Sequence, residues 1–212
     1  MKIALINGSP KIKNSASGCL LKELKAFLEH NNNIISEYHF NKTQLSREEM
    51  EQLAQCNVLI FAFPIYVDGI PSHLLNCLMQ LESFFSAIEE KNIIVYSIVN
   101  CGFYEGHQTA IAIEMMRNWC IKSGLCWGQG VGVGAGGMLV SIKNVSIGYG
   151  PKKNLGVAFK KLADNILKRS SGEDIFITAN FPRILYKLAA EMGWRKSIKA
   201  NGLKRKDLFL KK

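Results

Sequence analysis

The residues best suited to chemistry lie in the segment 7–17, Asn-Gly-Ser-Pro-Lys-Ile-Lys-Asn-Ser-Ala-Ser. An apolar run over 2–6 precedes this segment, and a helical pattern begins near Gly18. Backbone N–H groups at a helix N-terminus carry partial positive charge, so a strand that turns into a helix here favours an anion. The side chains that could also contact a phosphate are Ser9, Ser15, Ser17, Lys11 and Lys13. The segment predicts a phosphate-binding loop; the simpler alternative is that Ser15 or Ser17 only caps the helix.

Five short apolar runs alternate with helical patterns along the chain. The predicted strands cover 2–7, 34–40, 58–63, 93–99 and 125–133. The predicted helices lie near 17–30, 46–55, 71–88, 107–123 and 152–170. Continuous apolar runs are typical of parallel strands buried on both faces, and alternating helices connect such strands by right-handed crossovers. The pattern therefore predicts an α/β fold with a doubly wound, five-stranded parallel sheet in the order 2-1-3-4-5.

Three loops should meet at one edge of this sheet. In the order 2-1-3-4-5 the chain reverses direction between strands 1 and 3, and ligands bind at the carboxyl ends of those strands. The loops at that edge are 8–17, 64–70 and 100–106, and the last two carry aromatic side chains. A phosphate loop beside two aromatic loops predicts a planar cofactor with one phosphate, and FMN matches that description. The alternative for each aromatic side chain is an ordinary core or loop position.

A second glycine-rich segment, 132–137, has the spacing G-x-G-x-x-G. A dinucleotide-binding fingerprint also needs a helix that starts inside the motif and an acidic residue about 20 positions later. Here the apolar residues 138–142 follow, and the next predicted helix begins near 152. The segment is therefore expected to be a flexible loop beside the ligand site. The sequence contains no P-loop motif.

The six cysteines are scattered and form no C-x-x-C pair. Most lie in apolar stretches, which is typical of reduced core thiols in a cytoplasmic protein, so no metal or iron–sulfur site is expected. Cys101 lies in a predicted site loop, but no resolving thiol accompanies it and no redox role is assigned to it. No apolar run is long enough for a transmembrane helix, and no signal peptide is recognisable.

The positive charge lies in the C-terminal part of the chain. Residues 1–150 hold 11 Lys and Arg against 12 Asp and Glu, whereas residues 151–212 hold 16 against 5, a net charge of +11. The sequence divides into a domain over 1–170 and a basic extension over 171–212, with a helix near 182–199. Apolar residues recur at helical spacing in that helix, so another surface should cover them. A homodimer is expected; contact with nucleic acid or membrane and a solvated helix face are the alternatives.

The motifs Gly8-Ser9-Pro10-Lys11 with Ser15 and Ser17, and Pro64-Ile65-Tyr66 with Gly69-Ile70-Pro71, occur in a known family. Over residues 1–133 the chain resembles the flavodoxin-like NAD(P)H-dependent FMN or quinone reductases, which include azoreductases and iron–sulfur flavoproteins. The resemblance implies that Ser9, Ser15 and Ser17 contact the FMN phosphate, with Lys11 where many members carry arginine. It assigns one edge of the isoalloxazine ring to 64–67 and the other to 100–104. The ring residues so implied are Pro64, Ile65, Tyr66, Val67, Asn100, Cys101, Gly102, Phe103 and Tyr104.

This resemblance implies a flavoenzyme in which FMN takes hydride from NADH or NADPH and reduces a quinone, an azo or nitro compound, or free flavin. No side-chain acid or base stands out; Tyr66 is expected to shape the acceptor pocket. Backbone N–H groups in 65–67 and 101–104 could stabilise negative charge on the reduced ring. The iron–sulfur branch carries a cysteine cluster where this chain has only Cys56, so no cluster is expected. The alternatives are a flavodoxin-type electron-transfer protein and a regulatory or interaction protein that uses its basic tail.

Overall fold

The computed structural model describes residues 1–29, 32–204 and 206–207. The chain divides into two compact units, Met1–Ala179 and Asn180–Lys212. Within the described residues, the first unit contains a parallel sheet of six strands in the order β2-β1-β3-β4-β5-β6. The strands are β1 Lys2–Asn7, β2 Ile34–His39, β3 Val58–Pro64, β4 Ile94–Asn100, β5 Cys126–Val133 and β6 Ile175–Ile177.

The predicted α/β class and the order of the first five strands are confirmed, but the predicted count of five strands is wrong. The additional strand, β6, has three residues and pairs with β5 at the edge of the sheet. A run of three residues is too short to show a strand periodicity, so the sequence pattern misses it. Because β6 belongs to the sheet, the first unit extends to Ala179, past the boundary at residue 170 that the sequence indicates.

The predicted helices are present, and one short helix, α5, is present in addition. They are α1 Ala16–Leu28, α2 Arg47–Ala54, α3 Ser72–Ser86, α4 Ala110–Lys122, α5 Gly136–Leu139, α6 Lys153–Lys168 and α7 Arg183–Ala200. A capping box begins α2, because the Ser46 hydroxyl accepts from the Glu49 N–H while the Glu49 carboxylate accepts from the Ser46 N–H. Short 3₁₀ turns over Gly106–Thr109 and Gly150–Lys152 precede α4 and α6.

Two apolar layers bury the sheet. One layer joins α3 and α4 to β3 and includes Leu78, Phe85, Trp119 and Phe61. The rings of Phe61 and Trp119 meet edge to face at 5.6 Å, and the Trp119 indole N–H donates to the Leu78 carbonyl at 2.8 Å. These contacts hold α3 and α4 on one side of the central strands, so the loops that enter both helices start from a rigid base.

The second layer packs α1 and α6 on the sheet, and Tyr96 and Lys152 are among its buried polar side chains. The Tyr96 hydroxyl of β4 lies 2.9 Å from the Ser170 carbonyl oxygen, and burial raises the pKa of Tyr96 to about 12. Lys152, at the start of α6, is 2% exposed, and its ammonium group lies 2.6 Å from the Glu23 carboxylate of α1. A buried lysine is stable only when paired, so this ion pair fixes α6 against α1.

The second unit contains α7. None of the residues of α7 is buried. Among the described residues, no helix is both long and apolar enough to cross a membrane.

Candidate functional site

The carboxyl ends of β1, β3 and β4 lie side by side at one edge of the sheet. The Gly8 N–H donates to the Ala62 carbonyl at 2.8 Å, and the Ile65 N–H donates to the Asn100 carbonyl at 2.9 Å. The Cys101 N–H in turn donates to the Val133 carbonyl of β5 at 3.0 Å. These backbone bonds bring together the three loops that the sequence predicts to meet, over 8–15, 65–71 and 101–105.

Ser9 and Ser15 are buried in the first loop with their hydroxyl oxygens acting as acceptors. The Ser9 oxygen accepts from the Lys11 N–H at 3.3 Å, and the Ser15 oxygen accepts from the Gly18 N–H at 3.0 Å. A serine hydroxyl has one hydrogen to donate besides its two acceptor sites. In the described structure both hydroxyls therefore retain a hydrogen for an outside acceptor. Ser15 combines the two roles that its sequence position left open, because it caps α1 and keeps a donor.

Ser17 is placed differently from the other two serines. It is 1% exposed, and its hydroxyl donates to the Asn100 side-chain oxygen at 2.8 Å. This bond joins the first turn of α1 to the end of β4, and it uses the single hydrogen of the hydroxyl. In this arrangement Ser17 holds two of the three loops in register and has no hydrogen left for an anion.

Backbone donors accumulate at the start of α1. Within the described residues, the backbone N–H groups of residues 12–17 have no hydrogen-bond acceptor in the protein. Asn14 has a φ of 52°, in the left-handed region, so the chain curls just before the helix. Successive unpaired N–H groups beside a left-handed residue form a concave anion site at the positive end of a helix. The exposed Lys11 and Lys13 add positive charge to it.

Asn7 positions this loop, although the sequence pattern did not single it out. Its side-chain oxygen accepts from the Ser9 N–H at 3.1 Å, and its side-chain nitrogen donates to the Ser15 hydroxyl at 3.3 Å. His73 of α3 also contacts the loop, because its Nε2 lies 3.1 Å from the Gly8 carbonyl oxygen. The only signal for Asn7 in the sequence is its place as the last residue of a buried strand.

A groove of about 730 Å³ lies next to the first loop, on the side of β2. Lys22 and Lys143 line it together with Glu23 and Ser15, so the lining has two cationic side chains against one carboxylate. This excess of one positive charge adds to the potential of the helix terminus and favours an anionic ligand at this edge of the sheet.

The second loop is a tight two-residue turn. The N–H of Tyr66 donates to the Gly69 carbonyl at 3.0 Å, and the N–H of Gly69 donates to the Tyr66 carbonyl at 3.1 Å. Val67 and Asp68 have φ values of 49° and 62°, which a type I′ turn requires at both central positions. A β-branched residue in this region is strained, at a cost of about 1–3 kcal/mol. The turn nevertheless presents Val67 and Tyr66 to solvent, so two apolar groups stand exposed at the rim of the site.

The third loop presents Phe103, which is 54% exposed, beside the buried Cys101. The Cys101 thiol donates to the Glu105 carbonyl at 3.5 Å, and burial raises the pKa of this thiol above its usual value. Cys101 is therefore a neutral thiol near pH 7, which makes it a poor nucleophile. The Tyr104 hydroxyl of the same loop donates to the Ala179 carbonyl at 3.4 Å.

The backbone N–H groups predicted to face a reduced ring are only partly available. Those of Ile65, Tyr66 and Cys101 donate to main-chain carbonyls, as described above. Among the described residues, the N–H groups of Val67 and Phe103 have no protein acceptor. The N–H groups of Val67 and Phe103 are thus donors on these two loops that the protein leaves unused.

The G-x-G-x-x-G segment serves close packing. A Cβ added to Gly134 would come within 2.1 Å of the Tyr104 carbonyl oxygen, and one on Gly132 within 2.2 Å of the Thr109 hydroxyl. Glycine is therefore required for the third loop to rest against the end of β5. The expectation that no helix begins before about 152 is wrong, since the single turn α5 starts at Gly136. The short α5 is followed by turns over 140–149, and the next strand is the edge strand β6.

Four of the six cysteines are buried, Cys19 is partly exposed and Cys126 is exposed. All six are free thiols. Among the described residues, no group of three or more His, Cys, Asp or Glu side chains is arranged to hold a metal ion.

Several solved structures have a fold similar to that of this chain. The chain has a flavodoxin-like fold. It superposes on an NADH:FMN oxidoreductase in its apo form with a TM-score of 0.63 and 18% identity, over 81% of this chain and 91% of that one. For an NAD(P)H:quinone oxidoreductase from Methanothermobacter marburgensis the TM-score is 0.58 and the identity 14%, over 79% of this chain and 97% of that one.

A short-chain flavodoxin associated with a PDU bacterial microcompartment shares the flavodoxin-like fold as well. Its TM-score is 0.54 and its identity 14%, over 81% of this chain and all of that one. No protein-family model and no curated protein sequence matches the chain. At these identities the structural likeness establishes the fold, and the function has to be argued from the site.

Proposed function

We propose that the protein is a flavoenzyme that binds FMN, takes hydride from NADH or NADPH, and passes it to a quinone, an azo or nitro compound, or free flavin. The observation that carries this proposal is the first loop. Two buried serine hydroxyls with a hydrogen to donate stand beside a row of unpaired N–H groups at a helix N-terminus. This donor set fits a phosphate group.

In this proposal the rest of the FMN molecule lies along the same edge of the sheet. In this proposal Ser9 and Ser15 hold the phosphate with the N–H groups over 12–17, and Lys11 supplies charge. Tyr66, Val67 and Phe103 are exposed apolar side chains on the two flanking loops, and they suit a planar aromatic ring system. The Ser17 hydroxyl, which donates to Asn100, acts on the ligand only through the loops that this bond joins.

FMN, when bound, supplies the chemistry of accepting and donating hydride. The protein then contributes position, exclusion of water and electrostatic stabilisation. The free N–H groups of Val67 and Phe103 are the donors that this chain could offer to negative charge on the ring. Tyr66 lies beside them and would shape the space that nicotinamide and acceptor occupy in turn. The neutral Cys101 thiol takes no part in this chemistry.

The test is the visible spectrum of the purified protein after incubation with FMN and removal of free flavin, followed by anaerobic addition of NADH or NADPH. A bound-flavin spectrum that bleaches with one nicotinamide supports the proposal. A protein that retains no flavin contradicts it. Riboflavin, which lacks the phosphate, is the matched control ligand and should be retained more weakly.

An electron carrier is the second candidate, because a short-chain flavodoxin shares the fold. Such a protein would bind FMN but would bleach only when a partner reductase is added. Rapid mixing with NADPH alone separates the two candidates. The near-neutral charge of residues 1–150 favours the reductase, since an acidic docking surface is the expectation for a carrier. Homodimerisation stays a prediction, to be measured by light scattering.

A further inference from the structure

The second compact unit combines a high positive charge with exposed apolar side chains. Residues 180–212 contain ten Lys and Arg against two Asp and Glu, a net charge of +8. None of the residues of α7 is buried. The large apolar side chains of α7 that are exposed are Ile184, Leu185, Leu188, Met192 and Trp194. The reductase site proposed above uses none of these residues.

Four of these five apolar side chains are grouped on one face of α7, and Trp194 lies outside that face. At about 100° per residue, Ile184, Leu185, Leu188 and Met192 fall within an arc of roughly 100°. Arg195 and Lys199 continue the same arc in the second half of the helix. The face is therefore apolar along the first two to three turns and basic toward the C-terminal end.

We propose that α7 lies on the surface of an anionic phospholipid bilayer. The apolar half of the face would enter the boundary between headgroups and acyl chains, and the basic half would contact the lipid phosphates. Lysine and arginine suit that position because their long stems lie along apolar surface while their charged ends reach the headgroups.

A nucleic acid or a second copy of this unit would match only one of the two properties of α7, its positive charge or its apolar face. A nucleic acid would neutralise the charge but would offer no apolar phase for Leu188 and Met192. A second copy of this unit could cover the apolar face, but it would bring a second net charge of +8 to the same contact. An anionic bilayer provides both the negative charge and the apolar phase.

The experiment uses the full chain and vesicles of phosphatidylcholine alone or mixed with phosphatidylglycerol, with the bound fraction measured by sedimentation. Binding is expected to the mixed vesicles and to be at least tenfold weaker to phosphatidylcholine alone. Leu188→Glu should abolish binding. The matched control is Ile121→Glu, because Ile121 of α4 is also an exposed apolar side chain, at 70% exposure, and its replacement should leave binding unchanged. The double variant Arg195→Gln, Lys199→Gln should weaken binding roughly thirtyfold, at about fivefold for each charge near the surface.

Fluorescence gives an independent readout, because a tryptophan placed within the apolar arc by Leu185→Trp should shift its emission to the blue on binding to the mixed vesicles. No binding to the mixed vesicles would overturn the proposal, as would binding that survives Leu188→Glu. A dimer in light scattering that Leu188→Glu dissociates would assign the face to a second copy. Binding of duplex DNA that competes with vesicles and is insensitive to Leu188→Glu would assign the unit to nucleic acid. Both of these outcomes also overturn it.

Discussion

Ser15 and Ser46 form a matched pair that separates a helix cap from a phosphate ligand. Each precedes a helix in an extended conformation and accepts from a backbone N–H three residues later, at 3.0 Å for Ser15 and 3.1 Å for Ser46. Replacing either serine with alanine removes a cap and should lower the free energy of unfolding by about 1 kcal/mol. Only Ser15 lies at the proposed phosphate site, so only its loss should weaken FMN binding.

The size of the effect follows from the hydrogen that Ser15 has left to donate. A hydrogen bond to a charged group contributes about 1.5–3 kcal/mol, which corresponds to a roughly 10- to 150-fold increase in the Kd for FMN. The assay is quenching of flavin fluorescence on titration with Ser15→Ala, Ser46→Ala and the unchanged protein. Urea unfolding without added flavin checks that both variants lose similar stability.

Riboflavin completes this design because it carries the same ring without the phosphate. The Kd for riboflavin should be the same in Ser15→Ala as in the unchanged protein, within a factor of about three. If Ser15→Ala binds FMN no more weakly than Ser46→Ala does, the hydroxyl is only a cap. If it weakens FMN and riboflavin equally, the loop supports the ring and not the phosphate. Either result would refute the reasoning about the first loop.

Three further predictions concern stability, all measured by urea unfolding. Val67→Asn places a residue that tolerates positive φ in the tight turn and should raise the free energy of unfolding by about 1 kcal/mol; no gain would show that the turn is unstrained. Lys152→Gln leaves the Glu23 carboxylate without its buried partner and should cost about 3 kcal/mol, whereas the exposed Lys143→Gln should change stability by less than about 0.5 kcal/mol. Burial raises the pKa of Tyr96 to about 12, while an unfolded tyrosine titrates near 10. The stability held by the neutral phenol is therefore complete below about pH 10 and is lost between about pH 10 and 12. Over that range the unchanged protein should lose about 2–3 kcal/mol more than Tyr96→Phe; parallel pH profiles for the two would contradict this.

The sequence predicted the central strands well because their signal is local. β1, β3 and β4 are continuous apolar runs that the fold buries almost completely, and burial on both faces is what such runs indicate. β6 was missed because its three residues gain their place only by pairing with β5. No periodicity within 175–177 could show that pairing.

The candidate site was predictable to the level of loops, and less so to the level of side chains. Residue types indicated that 8–17, 64–70 and 100–106 should meet, since loops after neighbouring parallel strands share one edge. The bond between Ser17 and Asn100 spans 83 positions in the chain, so the sequence could not show that the Ser17 hydroxyl is already used. The positive φ of Val67 is equally hidden, because valine is not a residue that turn rules would place there.

The second and third loops of the site are held to the rest of the fold to different degrees. The third loop is bonded to the segment that follows β5, because the Ala135 N–H donates to the Phe103 carbonyl and the Gly136 N–H donates to the Cys101 carbonyl. That segment is itself bonded to the edge strand β6, since the Gly134 N–H donates to the Ile177 carbonyl. The turn over 66–69 is closed mainly by two bonds between its own ends. The opening of the cleft should therefore widen or narrow by movement of the Val67 side alone. In the proposed flavoenzyme a bulkier acceptor would enter on the Val67 side, while the backbone at Phe103 stays in place.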